Sequence, residues 1–184
     1  MMNRRRFVLT SLAGALVVPL AIEAQQSGKV ARIGYLAFGT PSGNAGLRQA
    51  FIDGLRDYGW IDERNITIEY RWVGAGPLTV DALAAELARL PLDLIFAVKT
   101  PAALAVKRTG TTRPVVFAQV SEPVAIGLVE SLARPGRNFT GLTTINRELM
   151  SKRLELLKEA IPGLARVGYL ANPAYEVHNR NWRR

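Results

Sequence analysis

Three short stretches carry residue types that can hold a small anion: Phe38-Gly39-Thr40-Pro41-Ser42, Lys99-Thr100-Pro101-Ala102 and Ser121-Glu122-Pro123. Each follows a run of strand character and precedes a stretch of helical periodicity. The first turn of a helix leaves N–H groups without intrahelical acceptors and directs the positive end of its dipole outward. Hydroxyls and free N–H groups at Thr40, Ser42, Thr100, Ala102 and Ser121 therefore suit a carboxylate or phosphate, with Gly39 in the first of these loops. Lys99 adds a cation able to form a charge-assisted hydrogen bond. Glu122 suits backbone N–H groups or a ligand amine. Taken one at a time, these residues also have a plainer reading, since Ser and Thr ahead of helices serve as caps and a loop lysine is solvated.

Bond-making chemistry has little to stand on. The chain has no cysteine, so thiolate zinc sites and disulfides are excluded and the fold must rest on its core. Its single histidine, His178, lies near the end in a polar stretch and reads as a surface residue. A Ser-His-Asp relay or a histidine metal site would have to use that residue alone. No GxxxxGK[ST] occurs, no GxGxxG follows a strand, and GxSxG is missing, so nucleotide binding and an activated serine are unsupported. The pattern places no second acid near Glu122 for general acid-base work. No metal and no cofactor is expected.

These loops need a framework, and the pattern from Lys29 onward supplies one. Strand-like runs alternate with amphipathic stretches, the signature of a parallel sheet flanked by helices, an α/β fold. Arg32 to Ala37 is the first strand, and Leu47, Ala50, Phe51, Leu55 and Tyr58 recur at helical spacing up to Gly59. Ile66 to Tyr70 alternates as a strand. Val80, Leu83, Ala84, Leu87 and Leu90 form a helical stripe that Pro91 ends. Leu94 to Val98 is continuously apolar, as a strand covered on both faces should be. A helix opens directly after it, with Thr100 as its cap and Pro101 at its first position. Pro114 to Ala118 is the fourth strand, followed by a turn at Ser121-Glu122-Pro123 and a helix to Leu132. Arg134-Pro135-Gly136 breaks that helix. Thr140 to Thr143 is a fifth strand, Leu149 to Ile161 a helix stopped by Pro162-Gly163, and Val167 to Ala171 a further strand turning at Asn172-Pro173.

The amino-terminal segment has a different logic. Arg4-Arg5-Arg6 precedes a chargeless run from Phe7 to Ile22, and Ala24 stands where a signal peptidase would cut. A charged start, a short apolar middle and a small residue before the cut are the parts of a secretory signal. The run is short of the roughly 20 apolar residues of a membrane span. Cleavage after residue 24 is expected, by a twin-arginine or an ordinary Sec route, with an uncleaved anchor as the third reading. The whole chain carries 24 Lys and Arg against 15 Asp and Glu, and 21 against 14 once the segment is removed. These positive charges are scattered and accompany no recognition-helix or zinc-finger pattern, so nucleic acid is not the expected partner. Asn65-Ile66-Thr67 and Asn138-Phe139-Thr140 match glycan acceptors, but a bacterial-type signal empties that match of meaning.

A set of ordered phrases carries a resemblance. Arg32-Ile33-Gly34-Tyr35-Leu36, Ile68-Glu69-Tyr70-Arg71-Trp72, Leu83-Ala84-Ala85-Glu86-Leu87, Thr100-Pro101-Ala102-Ala103-Leu104 and Glu122-Pro123-Val124 open it. Ser131 to Gly136, Thr140-Gly141-Leu142, Lys152 to Glu159 and Asn172-Pro173-Ala174 complete it. Each phrase is unspecific, but their order and spacing over nearly the whole chain resemble the ABC-transporter substrate-binding family of the tryptophan/tyrosine uptake type. The resemblance implies a type I periplasmic binding protein: two Rossmann-like lobes joined by a hinge, closing on a small solute and delivering it to a membrane permease. It assigns Thr100 and Ala102 at the helix start, and Glu122-Pro123 in the later loop, to the ligand-facing side of the first lobe. Asn172 matches a position facing the cleft from the second lobe. The family more often has Asp at the place of Glu122, a small or neutral residue at Lys99 and glycine at Arg137, which leaves the ligand open, an aromatic amino acid being the family-level expectation.

Residues 1–24 are thus expected to be the signal, 25–144 the first, ligand-binding lobe, and 145–184 a crossover helix with a truncated start of the second lobe. The expected function is that of an extracytoplasmic, periplasmic solute-binding component of an ABC importer, acting by hinge closure. Two other classes compete with it: a sensing or interaction module, or a non-functional truncated fragment, built on the same lobe, and an α/β enzyme. The missing nucleophile motif counts against the enzyme.

Overall fold

The computed structural model describes residues 30–168. Within them, β1 (Ala31–Phe38), β2 (Ile66–Val73), β3 (Leu94–Val98), β4 (Val115–Ser121) and β5 (Phe139–Thr144) form one sheet. The order is β2-β1-β3-β4-β5 and every pairing is parallel. Helices α1 (Ala45–Asp57), α2 (Val80–Arg89), α3 (Thr100–Arg108) and α4 (Asn146–Ala160) follow β1, β2, β3 and β5. The expected α/β architecture, a Rossmann-like parallel sheet with flanking helices, is what the chain adopts.

Alternation along each strand divides the side chains between two layers. On one face Leu36, Ile95, Ala97, Val115 and Phe117 pack against Leu83, Ala84 and Leu87 of α2 and Ala102, Ala103, Ala105 and Val106 of α3. Four small or short side chains on α3 let that helix lie close to the sheet. Fully burying a Leu, Ile or Val contributes roughly 1.5–3 kcal/mol, so Leu36, Leu87, Ile95, Val106 and Val115, all 0% exposed, anchor this layer. Thr79 caps α2 by accepting from the Ala82 N–H at 3.2 Å. Leu90 leaves the helix in extended backbone, the conformation that Pro91 imposes on its predecessor.

The opposite face is aromatic. Tyr35 stands at the centre, its ring 5.3 Å from Phe51, 5.2 Å from Tyr70, 5.5 Å from Trp72 and 5.4 Å from Phe96. Phe51 comes from α1, which contributes no fully buried residue and rests on the sheet through this ring and through Arg48. The Arg48 guanidinium lies 5.9 Å from the centre of the Tyr70 ring, within cation–π range. Ion pairs from Arg32 to Glu69 (3.0 Å) and from Arg71 to Glu86 (2.9 Å) tie β1 to β2 and β2 to α2.

Several expectations are corrected. The helix foreseen from Pro123 to Leu132 is a set of turns. Gly127 adopts φ +66°, and the Pro123 carbonyl accepts both Leu128 N–H (2.8 Å) and Val129 N–H (3.2 Å), which closes the chain on itself after one turn. Leu128 and Val129 then enter the core. Ser121 is the last residue of β4, because a bulge between Phe117 and Val120 carries that strand past Ala118. Strand β2 continues three residues beyond Tyr70, to Val73. Val167 and Gly168 belong to no strand, and the remainder of the run expected there lies outside the described residues. Asn65 and Asn138, the acceptor-like asparagines, spend their amides on the fold: Asn65 donates to Gly59 O at 2.8 Å, and Asn138 to Thr111 O at 2.9 Å and Arg113 O at 2.7 Å.

Candidate functional site

Strands β1, β3 and β4 are consecutive in the sheet, so the three loops singled out above leave its carboxyl edge side by side. Crevices beyond the carboxyl ends of parallel strands are where open α/β sheets take ligands.

The first loop is held from both sides. Gly39 N–H donates to Val73 O at 2.8 Å, and the Asn44 amide donates to Phe38 O at 3.0 Å and Thr40 O at 3.1 Å. Thr40 Oγ1 accepts from Gly43 N–H at 3.1 Å and pairs with Ser42 Oγ at 3.2 Å. Both hydroxyl side chains are exposed. Neither caps α1: the cap position belongs to Asn44, whose side chain holds the loop instead.

The second loop begins with an unusual backbone. Lys99 has φ +77°, a conformation uncommon for any residue with a Cβ. It is fixed there by its N–H on Ala118 O at 2.8 Å and its carbonyl accepting from Ala103 N–H at 3.2 Å. Its side chain is exposed and has no ion-pair partner among the described residues. Thr100 departs from its expected role, since it is already inside α3 and does not cap it. Its Oγ1 accepts from Ser121 N–H at 3.0 Å across to β4. Ala102 is fully buried, so only its N–H, in the first turn of α3, is of use to a ligand.

The third loop is joined to both neighbours. Ser121 donates its N–H to Thr100 Oγ1 on one side and pairs its Oγ with Thr144 Oγ1 of β5 at 3.0 Å on the other. Glu122 follows at φ +53°, with its carbonyl accepting from Ile126 N–H at 3.1 Å. Gly39, Thr40, Ser42, Lys99, Thr100, Ala102, Ser121 and Glu122 thus share one edge of the sheet. Asn172 and His178 lie outside the described residues. Gln119 and Thr144 belong to the same edge but were not singled out. No sequence signal marks Gln119 as a bulge residue, and the part played by Thr144 depends on β5 pairing with β4.

An exposed lysine beside the positive end of α3, with hydroxyls on the adjoining strand ends, makes this edge suited to an anionic group. Among the described residues, no group of three or more His, Asp or Glu is placed to hold a metal ion. None of their helices is long and apolar enough to cross a membrane.

This combination defines an α/β domain whose candidate site lies at the strand ends. Residues 39–182 match the family described as ABC transporter substrate binding protein, and the chain belongs to that family. A tyrosine-binding protein of Clostridioides difficile (strain R20291) is 32% identical over 133 residues, which are 72% of this chain and 38% of that protein. A conserved domain protein from Vibrio cholerae superposes with a TM-score of 0.73 at 27% identity, over 83% of this chain and 52% of that one. The domain of a Streptococcus protein solved in complex with L-Trp gives a TM-score of 0.55 at 27% identity, over 61% of this chain and 38% of that one. The chain spans between about a third and a half of the length of these relatives.

Proposed function

We propose that this protein is an extracytoplasmic solute-binding component of an ABC importer. It holds a small carboxylate-bearing solute, an amino acid in the first instance, without making or breaking a covalent bond. The observation that carries this reading is the meeting of three ligand-suited loops on adjacent strand ends, with Lys99 and the start of α3 at their middle. In this arrangement Lys99 and the N–H groups of α3 take the carboxylate. Thr40, Ser42, Thr100 and Ser121 supply hydroxyls, Glu122 takes an amine, and Gly39 shapes the first wall. Asn172 is assigned to the opposite wall of an inter-lobe cleft, and the passage from Thr144 into α4 serves as the hinge.

Relatives whose names or complexes refer to tyrosine and to L-Trp support an aromatic amino acid as the first solute to test. The export signal read at residues 1–24 supports placement outside the cytoplasm, where delivery to an inner-membrane ABC permease is the transport step. The test is calorimetric titration of the full chain with L-tyrosine, L-tryptophan, L-phenylalanine and simple carboxylates. Binding of an amino acid that Lys99→Gln weakens by about tenfold, the order of a lost charge-assisted hydrogen bond, is the expected result. No binding across the panel, or binding indifferent to Lys99, would reject the site.

A further inference from the structure

The bulge in β4 lies on the edge already assigned to the solute, and it changes what that edge presents. Register is lost between Phe117 and Val120, leaving one residue too many against β5. Both ends of the irregularity are pinned. Ala118 O accepts from Lys99 N–H at 2.8 Å, and Val120 O accepts from Thr143 Oγ1 at 2.9 Å. Val120 keeps its side chain in the core at 0% exposure. The residue between them, Gln119, takes φ +57° and is exposed.

A left-handed backbone is uncommon for glutamine. Bulges beside binding sites re-aim a side chain or end a pairing. Here the pairing resumes at Val120 and Ser121, so what the bulge changes is the direction of Gln119. Its amide, able to donate and to accept, has no hydrogen-bond partner among the described residues. Lys99, bonded to the residue just before it, is likewise left-handed at φ +77°. A cation-bearing residue and a neutral donor-acceptor therefore follow directly on Val98 and Ala118, the last paired residues of β3 and β4, with Gln119 two residues short of Ser121.

We infer that Gln119 is a solute-contacting, specificity-determining residue: its amide bonds a polar group of the solute beyond the carboxylate held at Lys99. This rests on the solute-binding reading and adds a residue and a selection rule to it. An amino acid is then favoured over a plain aliphatic carboxylate of similar size, which leaves the amide unanswered.

The test compares the full-length chain with Gln119→Gly and Gln119→Glu by calorimetry, using L-tyrosine, L-tryptophan and butyrate as probes. Glycine accepts positive φ without strain, so Gln119→Gly removes the amide while keeping the bulge, and its melting temperature should not fall. Affinity for the two amino acids should drop about tenfold, the order of one buried hydrogen bond, while butyrate binding stays as it was. Gln119→Glu should weaken all three by placing a carboxylate beside Lys99. In the 15N-labelled chain, the side-chain amide resonance of Gln119 should shift on addition of the amino acids and not of butyrate, which a purely structural role would not produce. If Gln119→Gly binds both amino acids as tightly as the unaltered chain, the inference is overturned and the solute-binding reading stands. If the unaltered chain binds none of the probes, both fall together.

Discussion

Tyr70 illustrates how a single side chain can carry a cost the fold tolerates. Its hydroxyl is buried without a hydrogen-bond partner among the described residues, and so is Nε of Arg48, whose guanidinium lies over the same ring. A buried, unpaired hydroxyl is destabilising by about 1 kcal/mol or more, while the ring itself packs well. Tyr70→Phe keeps the ring and the cation–π contact and should raise stability at neutral pH by about 1 kcal/mol, read as a higher urea midpoint. Burial also raises the phenol pKa values of Tyr35 and Tyr70 above the ordinary 10.0, with the Asp62 carboxylate adding to the rise at Tyr70 and Arg48 opposing it. The unfolded chain gives up these protons first, so their contribution is complete below pH 10 and is lost as pH climbs through the folded-state values. Denaturation should become easier from about pH 10 upward, and less steeply so in Tyr70→Phe; an identical alkaline profile for both proteins would contradict this origin. The placement of Lys99, Thr100, Ser121 and Glu122 at the strand ends was legible in the sequence because runs of strand character ended at or just before them. Gln119 was not, since a left-handed glutamine is set by what pins its neighbours.

At the scale of elements, the pairing of β4 with β5 depends on a residue that contributes no side chain. Gly141 has φ +155°, and a Cβ there would collide with the backbone carbonyl oxygen of Phe117 on β4. Gly141→Ala must push the two strands apart or bend one of them, at a cost of roughly 2–4 kcal/mol. The loss should appear in chemical denaturation together with weaker amide protection along Phe139–Thr144; an unchanged midpoint would mean that β5 is not held as described. Strands β1 to β5 were legible from apolar runs and alternation, and α2 from its stripe of Val80, Leu83, Ala84 and Leu87, whereas the run opening at Val167 was misleading, since Val167 and Gly168 belong to no strand. The segment after Pro123 misled, because Val124, Leu128 and Val129 have helical spacing whether or not the chain continues as a helix. Gly127 at positive φ and the doubly used Pro123 carbonyl decide against it, and neither is visible in periodicity.

Across the molecule, stability is concentrated in the layer between the sheet and α2 and α3. Helix α4 leaves Leu149, Leu154, Leu156 and Leu157 exposed to solvent among the described residues. Leu36→Ala, at a site with 0% exposure, should cost about 2–5 kcal/mol. Leu154→Lys, at 40% exposure, should change stability by no more than about 0.5 kcal/mol. Parallel thermal and urea unfolding of the two variants checks the contrast, and a large loss in the second would show that α4 is coupled to the sheet. The α/β class was legible from the alternation of runs. The lateral order of the strands was not read from it, although that order is what sets three ligand-suited loops beside one another.

The order β2-β1-β3-β4-β5 also has a consequence for how the chain assembles as it emerges from the ribosome. β1 is made first, β2 joins one side of it and β3 the other, and β4 and β5 extend the second side in turn. None of these five strands must be inserted between two that are already paired. Each newly synthesised β-α unit meets an open edge made earlier, so the sheet can grow outward in step with translation, without undoing any pairing already formed.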